Sequence, residues 1–162
     1  MNSEVVIVAA AKEHYEEAGK IAVDAWTEIH KSYIERIGEE IHDMIFAGWE
    51  EAKVTSIISS FETGRGYVAL VDGKVAGFIT YRMEKDKALG EILANAVSVD
   101  FRGMGIGHEM YEFILSKMRE EGMKYVTVST GLDDGHAPAR RAYEKMGFKK
   151  NLPSVKYYME LE

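Results

Sequence analysis

Cysteine is absent from all 162 residues, proline occurs only twice, and positive charge is in deficit. The missing thiols exclude disulfides, thiolate-bound metals and any acyl-enzyme formed on sulfur. With so little proline, no low-complexity stretch and no internal repeat, nothing reads as a linker, and a single domain over residues 1–162 is expected. Lys and Arg number 20 against 27 Asp and Glu, and the resulting net charge of −7 repels phosphate backbones, which argues against nucleic acid as a partner. The apolar run Val5 to Ala11 is far short of the roughly 20 residues of a membrane span. It follows Glu4 rather than a basic segment, so a buried strand is expected in place of a span or signal peptide, in a cytoplasmic protein. The five histidines have no metal-ligand spacing, and no G-x-S-x-G elbow supports an acyl-serine, so no metal and no nucleophilic serine are expected.

What is present is ordinary globular material, 46% apolar and 29% charged, with clear periodicities. Lys12 to His30 and Glu39 to Phe61 carry apolar residues at helical spacing, separated by a connection at 31–38. Gly66 to Val71 and Lys74 to Met83 read as strands of a hairpin turned at Asp72-Gly73, and Glu91 to Val99 as a third strand. A helix over Gly103 to Glu121 is closed by Gly122, a strand follows at Lys124 to Thr130, and His136 to Met146 is helical with Pro138 in its first turn. Phe148 to Lys150 and Val155 to Leu161 are expected to complete the sheet. This order predicts an α/β fold, a mixed, mostly antiparallel sheet with helices on both faces.

The chemistry concentrates where a strand gives way to Arg102-Gly-Met-Gly-Ile-Gly107 and a helix. Glycines let a ligand approach the main chain, and the first amides of a helix attract an anion. A pyrophosphate suits such a turn. The dinucleotide pattern G-x-G-x-x-G fails because His108 stands where its third glycine belongs, and no P-loop is present.

Arg102-x-x-Gly105-x-Gly107 after Asn95-Ala96-Val97 resembles the acetyl-CoA motif of the GNAT superfamily of N-acetyltransferases. Val97 to Arg102 matches the usual V-D-P-E-Y-R in spacing, with Val99 where proline is common. Ala139-x-x-x-Tyr143-x-x-x-Gly147-Phe148 is similar to a second family motif, and the resemblance covers nearly the whole chain.

The resemblance implies an acetyl-CoA-dependent N-acetyltransferase in which a primary amine, on a small molecule or a peptide, attacks the thioester directly. Asn95, Ala96 and Val97 would hold the pantetheine arm by main-chain pairing, with the Val97 N–H polarising the thioester carbonyl. Gly103, Met104, Gly105, Ile106, Gly107 and His108 would hold the pyrophosphate, with Arg102 adding charge. Tyr143 takes the place of the general acid, and Glu91 that of the base in the histone-acetylating branch; His30, Asp133, Asp134 and a water chain are alternatives. His136 stands where the family has Asn and is a candidate cofactor contact. Trp26, His30, Tyr33 and Arg36, with Tyr157 and Tyr158, would line the acceptor end. A catalytically silent acyl-CoA-binding module is the rival reading. The acceptor, the length of the acyl group and the oligomeric state, including a homodimer, stay open.

Overall fold

A computed structural model describes residues 4–161, which fall into two compact units. Unit 1 comprises Met1–Trp26 and Gly48–Ser129, and unit 2 comprises Thr27–Ala47 and Thr130–Glu162. Among the described residues the strands are β1 Val5–Ala9, β2 Gly66–Val71, β3 Lys74–Glu84, β4 Leu89–Val97 and β5 Tyr125–Val128. The helices are α1 Tyr15–Ile37, α2 Glu39–Phe46, α3 Trp49–Glu62, α4 Ile106–Glu120 and α5 Ala137–Lys145.

All five strands lie in unit 1 in the order β1-β2-β3-β4-β5. The first three pairings are antiparallel, and β4 pairs with β5 in parallel because α4 intervenes as the crossover. One face buries Val68, Phe78, Ala94 and Ala96 against Ala18, Ile21 and Ala22 of α1 and Ile57 and Phe61 of α3. The other receives α4: Tyr67 meets Phe113 with ring centroids 4.8 Å apart, and Gly77 and Gly90 leave room for Met110 and Met118. Fully buried side chains such as Phe78, Ile57 and Ile114 each contribute about 1.5–3 kcal/mol. The mixed, mostly antiparallel sheet with helices on both faces is the architecture expected from the sequence.

A bulge in β4 reverses its faces. Thr80 stands opposite Ala94 and Tyr81 opposite Ile92, so Leu93 is an extra residue with no register partner on β3. Alternation would otherwise keep Gly90, Ala94 and Ala96 on one side. Instead Gly90 faces α4, while Ala94 and Ala96 join the α1–α3 core. The Thr80 hydroxyl fills the irregularity, donating to Ala94 O and accepting from Ala94 N–H at 3.0 Å.

Three sequence expectations are corrected. α1 runs through the supposed connection at 31–38 and stops at Ile37, before Gly38 with its φ of 82°. Burial of Ile29, His30 and Ser32 supports the extra turns, which the polar residues between them disguised. The long second helix is two, because Ala47 is extended and Gly48 left-handed between α2 and α3. Neither Phe148–Lys150 nor 155–161 enters a ladder, and residues 149–157 are exposed throughout. Alternation in that segment met no strand to pair with.

Gly77 tests the packing of unit 1. A Cβ there would lie 2.8 Å from Ala96 O and 3.1 Å from Met110 Cε, and the first neighbour is main chain that cannot yield. Gly77→Val is expected to lose about 1–3 kcal/mol in urea unfolding; an unchanged midpoint would contradict this packing.

Candidate functional site

The bulge sets the direction of the main chain beyond it. Ser98 N–H donates to Ala76 O at 2.8 Å. The two-residue period then turns the main chain of Ala96 toward β3, and that of Asn95 and Val97 toward the opposite side. On that side the register with β5 runs from Leu89↔Tyr125 to Ile92↔Val128 and goes no further. The Asn95 side chain accepts the Tyr111 hydroxyl, tying this stretch of β4 to α4.

Between β4 and α4 the chain makes a short turn at Val99–Phe101 and then passes through Gly103 and Gly105, both with φ of 80°. That left-handed conformation suits glycine. Gly105 is the residue capping α4, and its carbonyl already accepts Glu109 N–H at 3.1 Å. The amides of Ile106 and Gly107 therefore lead the helix, ahead of its first internal bond, at the positive end of a 15-residue dipole. Arg102, Gly103, Met104 and His108 are exposed around this turn. Gly107 lies close over the end of β4, and a Cβ there would sit 3.7 Å from Val97 Cγ2. A strand end whose main chain is turned outward thus abuts an anion-attracting helix start.

Glu91 lies on β4 opposite Arg82, whose Nε it accepts as an ion pair. Its neighbours Gly90 and Ile92 are buried and Gly90 faces α4, so Glu91 points to the other face of the sheet. Trp26, expected among acceptor-lining residues, carries Lys53 Nζ 4.1 Å above its ring, and burial pushes the Lys53 ammonium below its ordinary pKa.

Unit 2 holds Tyr143 and His136. Tyr143 is buried on α5 and meets Phe148 edge-on at 5.9 Å. His136 precedes α5, and its Nδ1 is 2.7 Å from Asp133 Oδ1. Gly131 makes that pair possible, since a Cβ there would lie 2.5 Å from His136 Nδ1. Arg140 donates to Gly131 O and Asp133 O, and Gly135 N–H reaches Ser32 Oγ at 3.4 Å. Burial raises the Asp133 pKa, but the bond and charge of His136 outweigh it and hold the carboxyl below its ordinary value.

His30 and Tyr33 come together as expected, with ring centroids 5.3 Å apart, while Arg36 is exposed. Sequence reasoning missed their companions on α2. His42 Nε2 is 2.9 Å from His30 Nδ1, His42 Nδ1 is 2.9 Å from Asp43 Oδ1, and Phe46 stacks on Tyr33 at 5.4 Å. With Asp43 accepting from His42 Nδ1–H, His42 Nε2 becomes the acceptor for His30 Nδ1–H. Burial, then the Asp133 charge, raises the Tyr33 phenol pKa. The signals were the i, i+3 spacing of His30 and Tyr33 and the i, i+4 spacing of His42 and Phe46.

The sequence model of the Acetyltransferase (GNAT) family matches residues 26–148. The chain belongs to that family. It is 28% identical over 97 residues to the mycothiol acetyltransferase of Thermomonospora curvata, a match covering 60% of this chain and 32% of that protein. It therefore spans about a third of the length of the curated relative it matches. Among solved structures it is similar to the aminoglycoside N-acetyltransferase AAC(6')-Iy in complex with CoA, at 13% identity, TM-score 0.69, and coverage of 99% of this chain and 98% of that one. The PaiA N-acetyltransferase of Thermoplasma acidophilum in complex with coenzyme A gives 19%, 0.67, and 90% of each chain. Ard1 of Thermoplasma volcanium gives 23%, 0.68, and coverage of 91% and 84%. At these identities the likeness is one of fold. Among the described residues no helix is long and apolar enough to cross a membrane.

Two outcomes are expected. Gly105→Val forces a φ of 80° on a β-branched residue and swings the first amides of α4 aside. Losing two such bonds to an anion, at about 1.5–3 kcal/mol each, weakens CoA binding by about a hundredfold or more in calorimetry; unchanged affinity would contradict the anion site. Asp133→Asn removes a carboxylate whose folded pKa is depressed. That stabilisation is present above the unfolded value near 3.8 and is lost as pH falls through the lower folded value. The variant should melt below the parent at pH 7, with the gap closing as pH drops below about 3.8; a gap constant with pH would contradict it.

Proposed function

We propose that this protein transfers the acetyl group of acetyl-CoA to a primary amine by direct attack. The observation that carries the reading is the junction of β4 and α4: a strand leaving its neighbour after Ile92, with Val97 beside Gly107 at the mouth of a helix. Membership of the acetyltransferase family supports the same substrate.

In this reading the main chain of Asn95, Ala96 and Val97 pairs with the pantetheine arm as a peptide adds to a sheet edge. The amides from Gly103 to His108 take the pyrophosphate, with Arg102 adding charge from an exposed position. The Val97 N–H faces the developing oxyanion of the thioester carbonyl. The gain from holding amine and thioester together is entropic and requires no covalent enzyme intermediate.

An alkylammonium, with a pKa near 10.4, must shed a proton before it attacks. Glu91 is the base assigned on β4, where it pairs with Arg82. As the C–S bond breaks, Tyr143 donates to the departing sulfur. Full transfer from a phenol near 10 to a thiolate near 8.5 is uphill by about 2 kcal/mol, so a hydrogen bond to the thiolate is favoured over proton loss. Retention of Tyr143 within Ala139-x-x-x-Tyr143 speaks against a silent CoA-binding module. His136 is a weaker cofactor ligand in this reading, since its Nδ1 is engaged by Asp133.

The acceptor amine is defined by a panel of polyamines, aminoglycosides and peptides, scored by release of free CoA. With any acceptor found, Tyr143→Phe should lower turnover by about 10–100-fold while leaving acetyl-CoA affinity nearly unchanged. Full turnover would remove Tyr143 from this role, and a panel with no CoA released would return the chain to the binding-module reading.

A further inference from the structure

Within unit 1, α1 and α3 leave an open groove of about 400 Å³ between them. The two helices run in opposite directions. Tyr15 meets Phe61 at one end, with ring centroids 5.6 Å apart, and Trp26 meets Lys53 at the other. Tyr15, Gly19 and Val23 recur every four residues on α1, as Val54 and Ile58 do on α3, so two facing stripes form the walls. Gly19 is the floor. It is buried in mid-helix, where alanine is the better helix former, and a Cβ there would lie 3.3 Å from Val54 Cγ1. A larger side chain would fill the slot.

The two ends of the groove differ in charge. Toward Tyr15, Lys20 is neutralised by Glu16 at 2.8 Å and Glu17 at 3.7 Å. Toward Val23 the rim carries Asp24. Glu50 and Glu51, about one turn before Val54, belong to the same end because α3 runs back along α1. All three carboxylates are exposed and enter no ion pair among the described residues. The cation nearest to them in sequence, Lys53, is drawn over the Trp26 ring.

We propose that this groove binds a small cationic amphiphile, an alkylammonium whose chain lies over Gly19 and whose head meets Asp24. The stripe from Tyr15 to Val23 rises about 12 Å, a length that suits one extended chain. A volume of about 400 Å³ lies in the range of small-molecule sites and is short of the apolar face by which a partner helix docks. A fatty acid would bring its carboxylate against Asp24, Glu50 and Glu51, so the rim selects the cation. The lining shares no residue with the groups assigned above to acetyl-CoA or to its acceptor.

Methyl NMR of the full chain reads the site directly, with n-octylamine titrated below its micellar concentration and no acetyl-CoA present. Shifts should concentrate at Val23, Val54 and Ile58. n-Octanol should bind about 2–5-fold more weakly than the amine, and octanoate more weakly still. Asp24→Asn should weaken octylamine binding by the same factor of about 2–5. Ile58→Trp fills the groove and should weaken it at least about tenfold with its circular dichroism intact. If that variant does not fold, Asp24→Asn and the three probes decide the matter. Shifts confined to other residues, octanoate matching octylamine, or unchanged affinity in Asp24→Asn or in folded Ile58→Trp would each overturn the proposal. So would groove methyls that shift with protein concentration alone, the mark of a second copy in the groove. None of these readouts involves acetyl transfer, so the functional reading stands or falls separately.

Discussion

Leu93 enters β4 with no residue of β3 opposite it, and a strand so interrupted cannot keep both of its neighbours in register. The Thr80 hydroxyl repairs the β3 side by bonding Ala94 at both its carbonyl and its amide. On the β5 side pairing ends at Ile92. The next residues turn alternate main-chain groups outward, at the place where the helix start of α4 comes down on Val97. Without the bulge the alternation of β4 would run unbroken from Gly90 to Ala96. It would also put Ala94 and Ala96 under α4 instead of in the core with Phe78. The outward-turned end of β4 and the start of α4 thus adjoin where one residue too many was accommodated in one strand.

Unit 2 is organised differently, by polar contacts. Asp133 accepts from His136, Arg140 bonds the carbonyls on either side of the same turn, and Gly131 and Gly135 admit close approaches that a methyl group would block. Beside it the His30–His42–Asp43 chain and the Tyr33–Phe46 stack fix α2 against the second half of α1. Such networks specify one arrangement because each member left unpaired would cost about 1–3 kcal/mol.

The sequence was most legible where local chemistry decides. Asp72-Gly73 marked its hairpin, Gly122 its helix end, and Arg102 to Gly107 its glycine turn into α4, since each requirement is met within a few residues. It was least legible where a distant neighbour decides. The turns of α1 at 31–37 are held by burial of Ser32 and its neighbours, which polar composition does not announce. The bulge depends on Thr80, fourteen positions from Ala94, and reads from sequence as ordinary alternation. The segment 155–161 shows the converse, a strand pattern with no strand beside it. Tyr143 and the glycines were found as motif residues, while His42, Asp43 and Phe46 were not, because their meaning lies in His30 and Tyr33 a turn or more away.

The central claim is that the outward main chain of β4 and the leading amides of α4 form one surface for CoA. Amide hydrogen exchange followed by NMR, with and without saturating CoA, reads that surface directly. The account predicts new protection concentrated at Asn95, Val97 and the amides from Gly103 to His108, with ATP and NAD leaving the β4 amides unchanged. Protection elsewhere, or the same protection of β4 by ATP, would contradict it.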